Sequence, residues 1–493
     1  MKRQRGTGRV TLAAMAAMCA VAALPGQSWA AGEPNPYAFD SGAKTVKGAP
    51  VNSDGPPLSA GSTYKDTIKP GEKLYYRVDL DAKTNAYISA VAVPKPATKV
   101  SSADRLSVSI EDRSGYKCGD GDAQFGSASY ARPVAAYADR TIVKDGSRCQ
   151  DAGAYYVLLQ RSKADTSTPE PWDVEIRFAS ESGLKAQGPT APAENWPSAS
   201  PPAPAGGPGK RQGGTSFTDA TSLKQGEWQD AITPGQTLFY RVPVDWGQQL
   251  FASADLGSST APDSAKSVSS ALVLSLHNPA RGYVDDASSL YYDGKQKSLA
   301  LDPLPPVAYE NRYDYTSSTN AMRFAGWYYL SVTLNPEVGK EYGTNAIPLT
   351  LRVNVEGKVR GAPAYDGPAG DFQVTKDDQE AADSGKSAPE AAKSDTMQLV
   401  AAAGIGAGTV LVLGLGAWTL LARRRTAGAP AQGPAHAAPV APVTDAAAPF
   451  PAQGPAAGQV PGQVPGQVPG GHGRLPGQAP GQAPGQYGPP PTW

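Results

Sequence analysis

A fifteen-residue phrase occurs twice in this 493-residue chain, and the duplication restricts the fold more than any other feature. Tyr64-Lys-Asp-Thr-Ile-Lys-Pro-Gly-Glu-Lys-Leu-Tyr-Tyr-Arg-Val78 returns as Trp228-Gln-Asp-Ala-Ile-Thr-Pro-Gly-Gln-Thr-Leu-Phe-Tyr-Arg-Val242, with eight identities and no gap. Later matches keep the same order. Ser89-Ala90 corresponds to Ser253-Ala254, the 105–110 stretch to 271–276, Gly153-Ala-Tyr-Tyr-Val157 to Gly326-Trp-Tyr-Tyr-Leu330, and the 171–176 stretch to 348–353. Preserved order over so long a span is a domain duplication.

Each copy reads as all-β. Leu74, Tyr76, Val78 and Leu80 alternate with Tyr75, Arg77 and Asp79, and Leu238, Tyr240, Val242 and Val244 alternate with Phe239, Arg241 and Asp245. This is the period-two pattern of a strand with one buried and one exposed face. Leu106, Val108 and Ile110 repeat it, as do Trp172, Val174, Ile176 and Phe178. Pro70-Gly71 and Pro234-Gly235 mark tight turns before the strand. Short strands, Gly/Pro turns and no amphipathic helix predict β-sandwiches over 60–180 and 214–357.

The motif Ile-x-Pro-Gly-x-x-Leu-x-Tyr-Arg-Val, followed by Gly-x-Tyr-Tyr-Val/Leu and a last alternating strand, resembles the bacterial pre-peptidase C-terminal (PPC) domains. The resemblance covers roughly 60–180 and 217–357. It implies a mainly β chain with two tandem jelly-roll-like β-sandwich domains, accessory modules with no shared chemistry. The arrangement is also similar to the membrane-proximal region of actinobacterial von Willebrand A-type (VWA) surface proteins, although no VWA domain with its metal-binding Asp-x-Ser-x-Ser is present. The 277–325 stretch, rich in Tyr and Asp, departs from a minimal PPC pattern as a long insert.

The flanks predict where such domains would be displayed. Met397–Ala422 holds no charged residue or histidine and runs into Arg423, Arg424 and Arg425. At ~1.5 Å per residue it is long enough for a hydrocarbon core of about 30 Å, and the arginines mark the cytoplasmic side. Residues 1–30 read as a signal peptide: four basic residues, an apolar run, and Ser28-Trp29-Ala30 as the cleavage site. Between these, 31–59 is expected to be extended, 181–213 a Pro/Ala/Gly linker, and 358–396 a flexible linker. The 423–493 tail, in which Pro-Gly-Gln recurs five times, is too poor in large apolar residues to bury a core and is expected to be disordered and cytoplasmic. Gly404 and Gly408 place small residues four apart in the span, a helix-packing pattern that would suit a homodimer.

Charge and chemistry narrow the function by exclusion. Residues 1–30 carry four basic and no acidic groups, and 423–493 carry four arginines and one aspartate. The whole chain balances 45 against 45, so the 31–396 segment is left with −7. An acidic segment gives no reason to expect nucleic acid as partner. His277 is the one histidine of the 31–396 segment; placed after a core strand, it reads as a satisfied strand-end residue. No nucleophile elbow, zinc helix, phosphate loop or dinucleotide fingerprint occurs, so no catalytic residue, metal or cofactor is expected. Cys118 and Cys149 are an even pair in an exported segment and predict a disulfide. Asp120 and Asp122, and more weakly Asp285, Asp286 and Asp293, are the only calcium candidates, without the ligand spacing of a full loop. Tyr283, Tyr291, Tyr292, Tyr309, Tyr313 and Tyr315 form the candidate ligand surface, since each ring joins an apolar face to a polar tip. The expected function is that of a non-catalytic single-pass cell-surface protein of a high-GC Gram-positive bacterium. Its paired ectodomains would bind an envelope protein or wall glycan, or serve an envelope complex. The rival expectations are a hydrolase or enzyme accessory using a carboxylate pair in the second domain, and a receptor relaying binding to a partner of the tail.

Overall fold

The eight identities of the repeated phrase mark a structural unit that occurs twice. In the first copy Asp66 accepts from the Tyr76 hydroxyl (2.8 Å) and from the amide of Gly48 (2.7 Å). In the second, Asp230 accepts from the Tyr240 hydroxyl (2.6 Å) and the amide of Gly213 (2.8 Å). The two glycines lie so close beneath these rings that a Cβ would fall within 3 Å of the tyrosine and of the preceding leucine. Backbone thus takes the place of a side chain, and the buried carboxylate has its partners supplied by the fold.

The computed structural model describes residues 36–143, 146–186, 188–260, 262–393 and 414–421. The first copy contains β1 Lys44–Thr45, β2 Pro57–Leu58, β3 Thr63–Ile68, β4 Lys73–Leu80, β5 Asn85–Val93, β6 Arg105–Glu111, β7 Lys117–Gln124, β8 Val134–Arg140, β9 Gly153–Arg161 and β10 Trp172–Glu181. The second contains β11 Pro208–Lys210, β12 Thr221–Ser222, β13 Gly226–Ile232, β14 Thr237–Val244, β15 Gln249–Leu256, β16 Leu272–His277, β17 Tyr283–Ala287, β18 Lys297–Ala300, β19 Gly326–Leu334 and β20 Ile347–Glu356. Sheet I has the order β1-β3-β10-β5-β8 and sheet II the order β2-β4-β9-β6-β7; sheets III and IV repeat these orders ten strands later. Each copy is therefore a two-sheet sandwich. Its core holds Tyr76, Val78, Ile88, Val108, Val157 and Ile176 in the first and Tyr240, Val242, Ala254, Leu274, Leu330 and Leu351 in the second.

Several sequence expectations need correction. The extended 31–59 segment contributes β1 and β2, which pair in parallel with β3 and β4, and the 181–213 linker contributes β11, which pairs in parallel with β13. The last strand of the repeat sits two residues from the register that the sequence match suggests. Trp172 pairs with Ile68 and Ile347 with Ile232, so Trp172 corresponds to Ile347 rather than to Leu349. A two-residue slip keeps every side chain on its own face, so alternation alone could not detect it. The 277–325 stretch is mostly no insert. It contains β17 and β18, the counterparts of β7 and β8, and its true addition is a 3-10 turn at Tyr309–Tyr313 followed by helix α1, Ser317–Ala321.

The 358–393 segment, expected to be a flexible linker, is laid down against both sandwiches. Phe372 is fully buried, stacked on Phe324 at 4.5 Å and edge-on to Tyr87 at 5.3 Å. After the short helix α2, Glu337–Tyr342, comes α3, Lys376–Ser384. Thr375 caps α3 in a capping box with Asp378, and Gly385 ends it in the left-handed conformation. A polar composition concealed this packing because one phenylalanine and a pair of alanines, Ala381 and Ala382, are the apolar side chains it buries. The sandwiches and this strap form one compact unit. Residues 414–421 are helical and belong to a separate unit. Among the described residues no helix is long and apolar enough to cross a membrane. Most of the span expected at Met397–Ala422 lies outside them, as do Gly404, Gly408, Arg423, Arg424, Arg425, the signal peptide and the tail.

Candidate functional site between the sandwiches

Strand β5 is buried along almost its whole length, on both faces. Ala86, Ile88, Ala90 and Ala92 face the core of the first sandwich. Tyr87 and Val91 face the other way, into two apolar clusters shared with the second sandwich. The outer face of sheet I is thus packed on the outer face of sheet IV, where Phe217, Phe239 and Tyr329 meet Val91, Ala135 and Tyr37. Phe239 and Arg241, read from their alternation as exposed, are buried by this contact and by the strap. Their counterparts Tyr75 and Arg77 lie on sheet II; Arg77 is exposed and pairs with Asp79 at 2.7 Å.

Three arginines of the 277–325 stretch carry the polar half of the interface. Arg281 donates to Glu175 at 2.5 Å, and Glu175 also accepts from the Tyr37 hydroxyl and the amide of Asp40. Arg312 donates through both terminal nitrogens to Glu181, at 2.9 and 3.2 Å; Asn85, Tyr87 and Tyr365 donate to the same carboxylate. Arg323 donates to the Tyr137 hydroxyl and lies 3.5 Å from Asp139. Glu175 and Glu181 are fully buried. Burial alone would raise the acid range of Glu181, but Arg312, with the Tyr87 hydroxyl and the Asn85 amide, outweighs it and holds the carboxyl below the usual range. The strap extends the contact. Arg177 pairs with Asp371, Trp327 donates from Nε1 to Asp378, and Arg241 lies 4.0 Å above the Trp327 ring.

The six tyrosines do not form one surface. Tyr292 is buried in the second core, donating to Gly257 and Ser259, and Tyr309 lies under the Arg312 guanidinium at 3.3 Å. Tyr291 and Tyr315 are exposed on loops, Tyr313 is exposed at the end of the 3-10 turn, and Tyr283 stands on the edge strand β17. The signal that was missed is in the charges: Arg281, Arg312 and Arg323 in one copy, Glu175, Glu181 and Asp139 outward on strands of the other. The predicted disulfide is present, joining Cys118 on β7 to Cys149 before β9, with Cα atoms 5.7 Å apart. The calcium candidates are engaged elsewhere. Asp120 lies near Lys117, Asp122 near Arg105, and Asp293 pairs with Lys297; Asp285 accepts from the amide of Asp302. Among the described residues no group of three or more candidate ligands could hold a metal ion.

Where the two sandwiches part, a cleft of about 390 Å³ remains between the β7–β8 loop and the outer face of sheet IV. Ser275, His277 and Ser331 line its floor; Tyr283 and Asp286 stand on one wall and Asp122 on the other. His277 does not fit its reading as a satisfied residue. It is 7% exposed, its ring meets Phe217 edge-on at 5.1 Å, and its Nδ1 has no hydrogen-bond partner. Burial pushes its pKa down to about 4, so the imidazole is neutral near pH 7. Arg132, in the loop above, is occupied: its guanidinium donates to the carbonyls of Phe125, Ala128 and Tyr130.

No protein-family model and no curated protein matches the chain. Solved structures align with it only weakly. The CUB1-EGF-CUB2 region of human MASP-1/3 is 8% identical, covering 59% of this chain and 99% of its own, with a TM-score of 0.14. The cowpea mosaic virus top component is 9% identical over 67% of this chain and 96% of its own, with a TM-score of 0.16. A protein from Burkholderia cenocepacia is 9% identical over 59% of this chain and 78% of its own, with a TM-score of 0.14. At these scores the architecture rests on the strand order of the chain itself.

Proposed function

We propose that the chain is a non-catalytic, single-pass cell-surface protein whose two sandwiches are presented outside the membrane as one rigid binding head. The observation that carries this reading is the fusion of the copies. Three buried arginines from one sandwich engage acidic groups on the other, and the strap toward the apolar 397–422 stretch is packed over the joint. A spacer of independent modules has no need of such an interface, whereas a head that presents a surface formed by both domains does. In each copy the chain passes from one sheet to the other at every step except the β6–β7 and β16–β17 hairpins, which suits jelly-roll-like accessory modules of the PPC kind. The apolar stretch with its arginine stop supports an anchor with the head outside and the Pro/Gly/Gln-rich tail inside. An envelope protein or a wall glycan is the ligand class for such a head.

The test is protease accessibility on intact cells carrying one epitope tag after residue 35 and another at residue 493. Added protease should destroy the first tag and spare the second, with the tail fragment retained in the membrane fraction. Loss of both tags from intact cells, or recovery of the full chain in the soluble fraction, would refute the placement.

A further inference from the structure

We propose that the cleft between the β7–β8 loop and sheet IV binds a neutral saccharide, a mono- or disaccharide portion of a larger glycan. The cleft lies at a domain interface, where small-molecule sites concentrate, and its volume of about 390 Å³ is within the range of such sites. Its floor is built of hydroxyls. Ser275 and Ser331 face each other across β16 and β19, beside the Thr333 hydroxyl that bonds Thr237 at 2.9 Å. Next to them His277, at the register shift between β16 and β17, lines the cleft and has a buried Nδ1 without a partner. An unpartnered polar atom beside a cleft is costly in a folded protein, and a ligand that seats there with a small shift of the ring can offset that cost.

The walls define the chemistry of that partner. Tyr283 donates to Asp286 at 2.5 Å, which fixes the carboxylate and turns an aromatic ring toward the opening. Asp122 faces it from the other sandwich. Of the cations beside the cleft, Arg132 already donates to three backbone carbonyls and Arg105 pairs with Asp122 at 3.7 Å, and the imidazole is neutral near pH 7, so none of them calls for an anion. The site therefore offers carboxylate acceptors, hydroxyls that both donate and accept, one neutral imidazole and one ring. Vicinal sugar hydroxyls, each donor and acceptor at once, satisfy all of these, and the apolar face of a pyranose suits the tyrosine. An ammonium group can donate to the carboxylates, the serine oxygens and the imidazole, but it offers no acceptor for the serine hydroxyl protons and no apolar face for the ring.

This inference names a ligand class for the proposed binding head; it rests on that reading only for its biological setting, because the test uses purified protein. The full-length chain in detergent micelles is titrated by calorimetry and saturation-transfer NMR with glucose, galactose, mannose, N-acetylglucosamine and their disaccharides. Lysine and galacturonate serve as the cationic and anionic probes. At least one neutral sugar should saturate the protein below about 10 mM, and Asp286→Asn and Tyr283→Ala should each weaken it about tenfold or more. The exposed variant Arg77→Gln should bind unchanged, and all three variants should melt with the wild type. Absence of saturation by every neutral sugar in a folded sample would overturn the proposal, as would binding indifferent to Asp286→Asn and Tyr283→Ala, or tighter binding of lysine or galacturonate. A negative titration beside the expected protease pattern on cells removes the site and leaves the surface placement standing; the converse pair of results removes the placement alone.

Discussion

Replacing Arg281 by methionine should loosen the joint between the sandwiches more than any surface substitution can. The guanidinium is 4% exposed and donates to a carboxylate with no exposure at all, so the variant strands Glu175 as a buried charge. Two donors would remain to it, the Tyr37 hydroxyl at 3.2 Å and the Asp40 amide at 3.1 Å. Removing one partner of a buried pair costs about 3–5 kcal/mol, whereas exposed pairs are worth about 0–1 kcal/mol. The exposed Arg77–Asp79 pair supplies the internal control, since Arg77 belongs to the repeated phrase and lies outside the joint. The assay is urea denaturation of the full-length chain followed by tryptophan fluorescence and circular dichroism. Wild type should unfold the two sandwiches together. Arg281→Met should lose about 3–5 kcal/mol and separate the transition into two. Arg77→Met should change stability by less than about 1 kcal/mol. The double variant Glu175→Gln/Arg281→Met removes both charges while the glutamine oxygen still accepts from Tyr37 and Asp40. It should recover most of the loss, because the penalty belongs to the stranded carboxylate and not to an absent attraction. An Arg281→Met chain as stable as Arg77→Met and still unfolding in one step would refute the reasoning. So would a double variant no better than the single, which would assign the loss to packing against Phe217.

Two further outcomes follow from the same geometry. Phe372→Ala deletes the fully buried ring that holds the strap against Phe324 and Tyr87; a core Phe→Ala change costs about 3–5 kcal/mol, so 358–393 should become sensitive to limited proteolysis while both sandwiches stay resistant. An unchanged cleavage pattern would show that the strap is held by its polar contacts instead. His277 is neutral in the folded chain down to about pH 4, whereas an unfolded histidine takes up a proton near 6.5; the unfolded state therefore binds more protons in that window, and this residue's contribution, about 3 kcal/mol in full, should fade as pH falls from about 6.5 through 4. Denaturation curves of wild type and His277→Gln compared at pH 7 and pH 4.5 check the sign: the wild type should lose more on acidification, and equal losses would contradict the buried neutral state.

The repeated phrase shows what one sequence can reveal about a fold and what it conceals. Its identical residues Asp66, Ile68, Leu74, Tyr76 and Val78 all have roles inside a single sandwich, the carboxylate on its tyrosine and glycine and the rest in the core. Interactions within twenty residues, at period two, are legible from residue type. The shared arginine is different. Arg77 stands in solvent and Arg241 lies over Trp327, donating to Ser222 and covered by the strap, although the two sit in the same phrase at the same register. No local pattern separates them, because the distinction is made by Trp327 and by a polar segment more than a hundred residues downstream. The same limit hid the cleft. His277 reads as the satisfied end of a core strand, and it does end one, but the wall opposite it comes from the other sandwich. The tyrosines were the conspicuous residues of 277–325 and the arginines the ordinary ones. Yet an arginine gains meaning only when a buried carboxylate faces it, and Glu175 and Glu181 stood on alternating outward positions of β10, where they looked solvated. Duplication supplied two similar surfaces; the differences that accumulated on sheet I and sheet IV made one pair of faces complementary and left their equivalents on sheets II and III outside the joint. The counterpart of Glu175 on sheet III is Thr350, that of Val91 is Asp255, and Arg352 there pairs with Asp255 and Glu227 within its own sheet. The charges of that face are satisfied within its own sheet, whereas those of sheet I are met from across the joint.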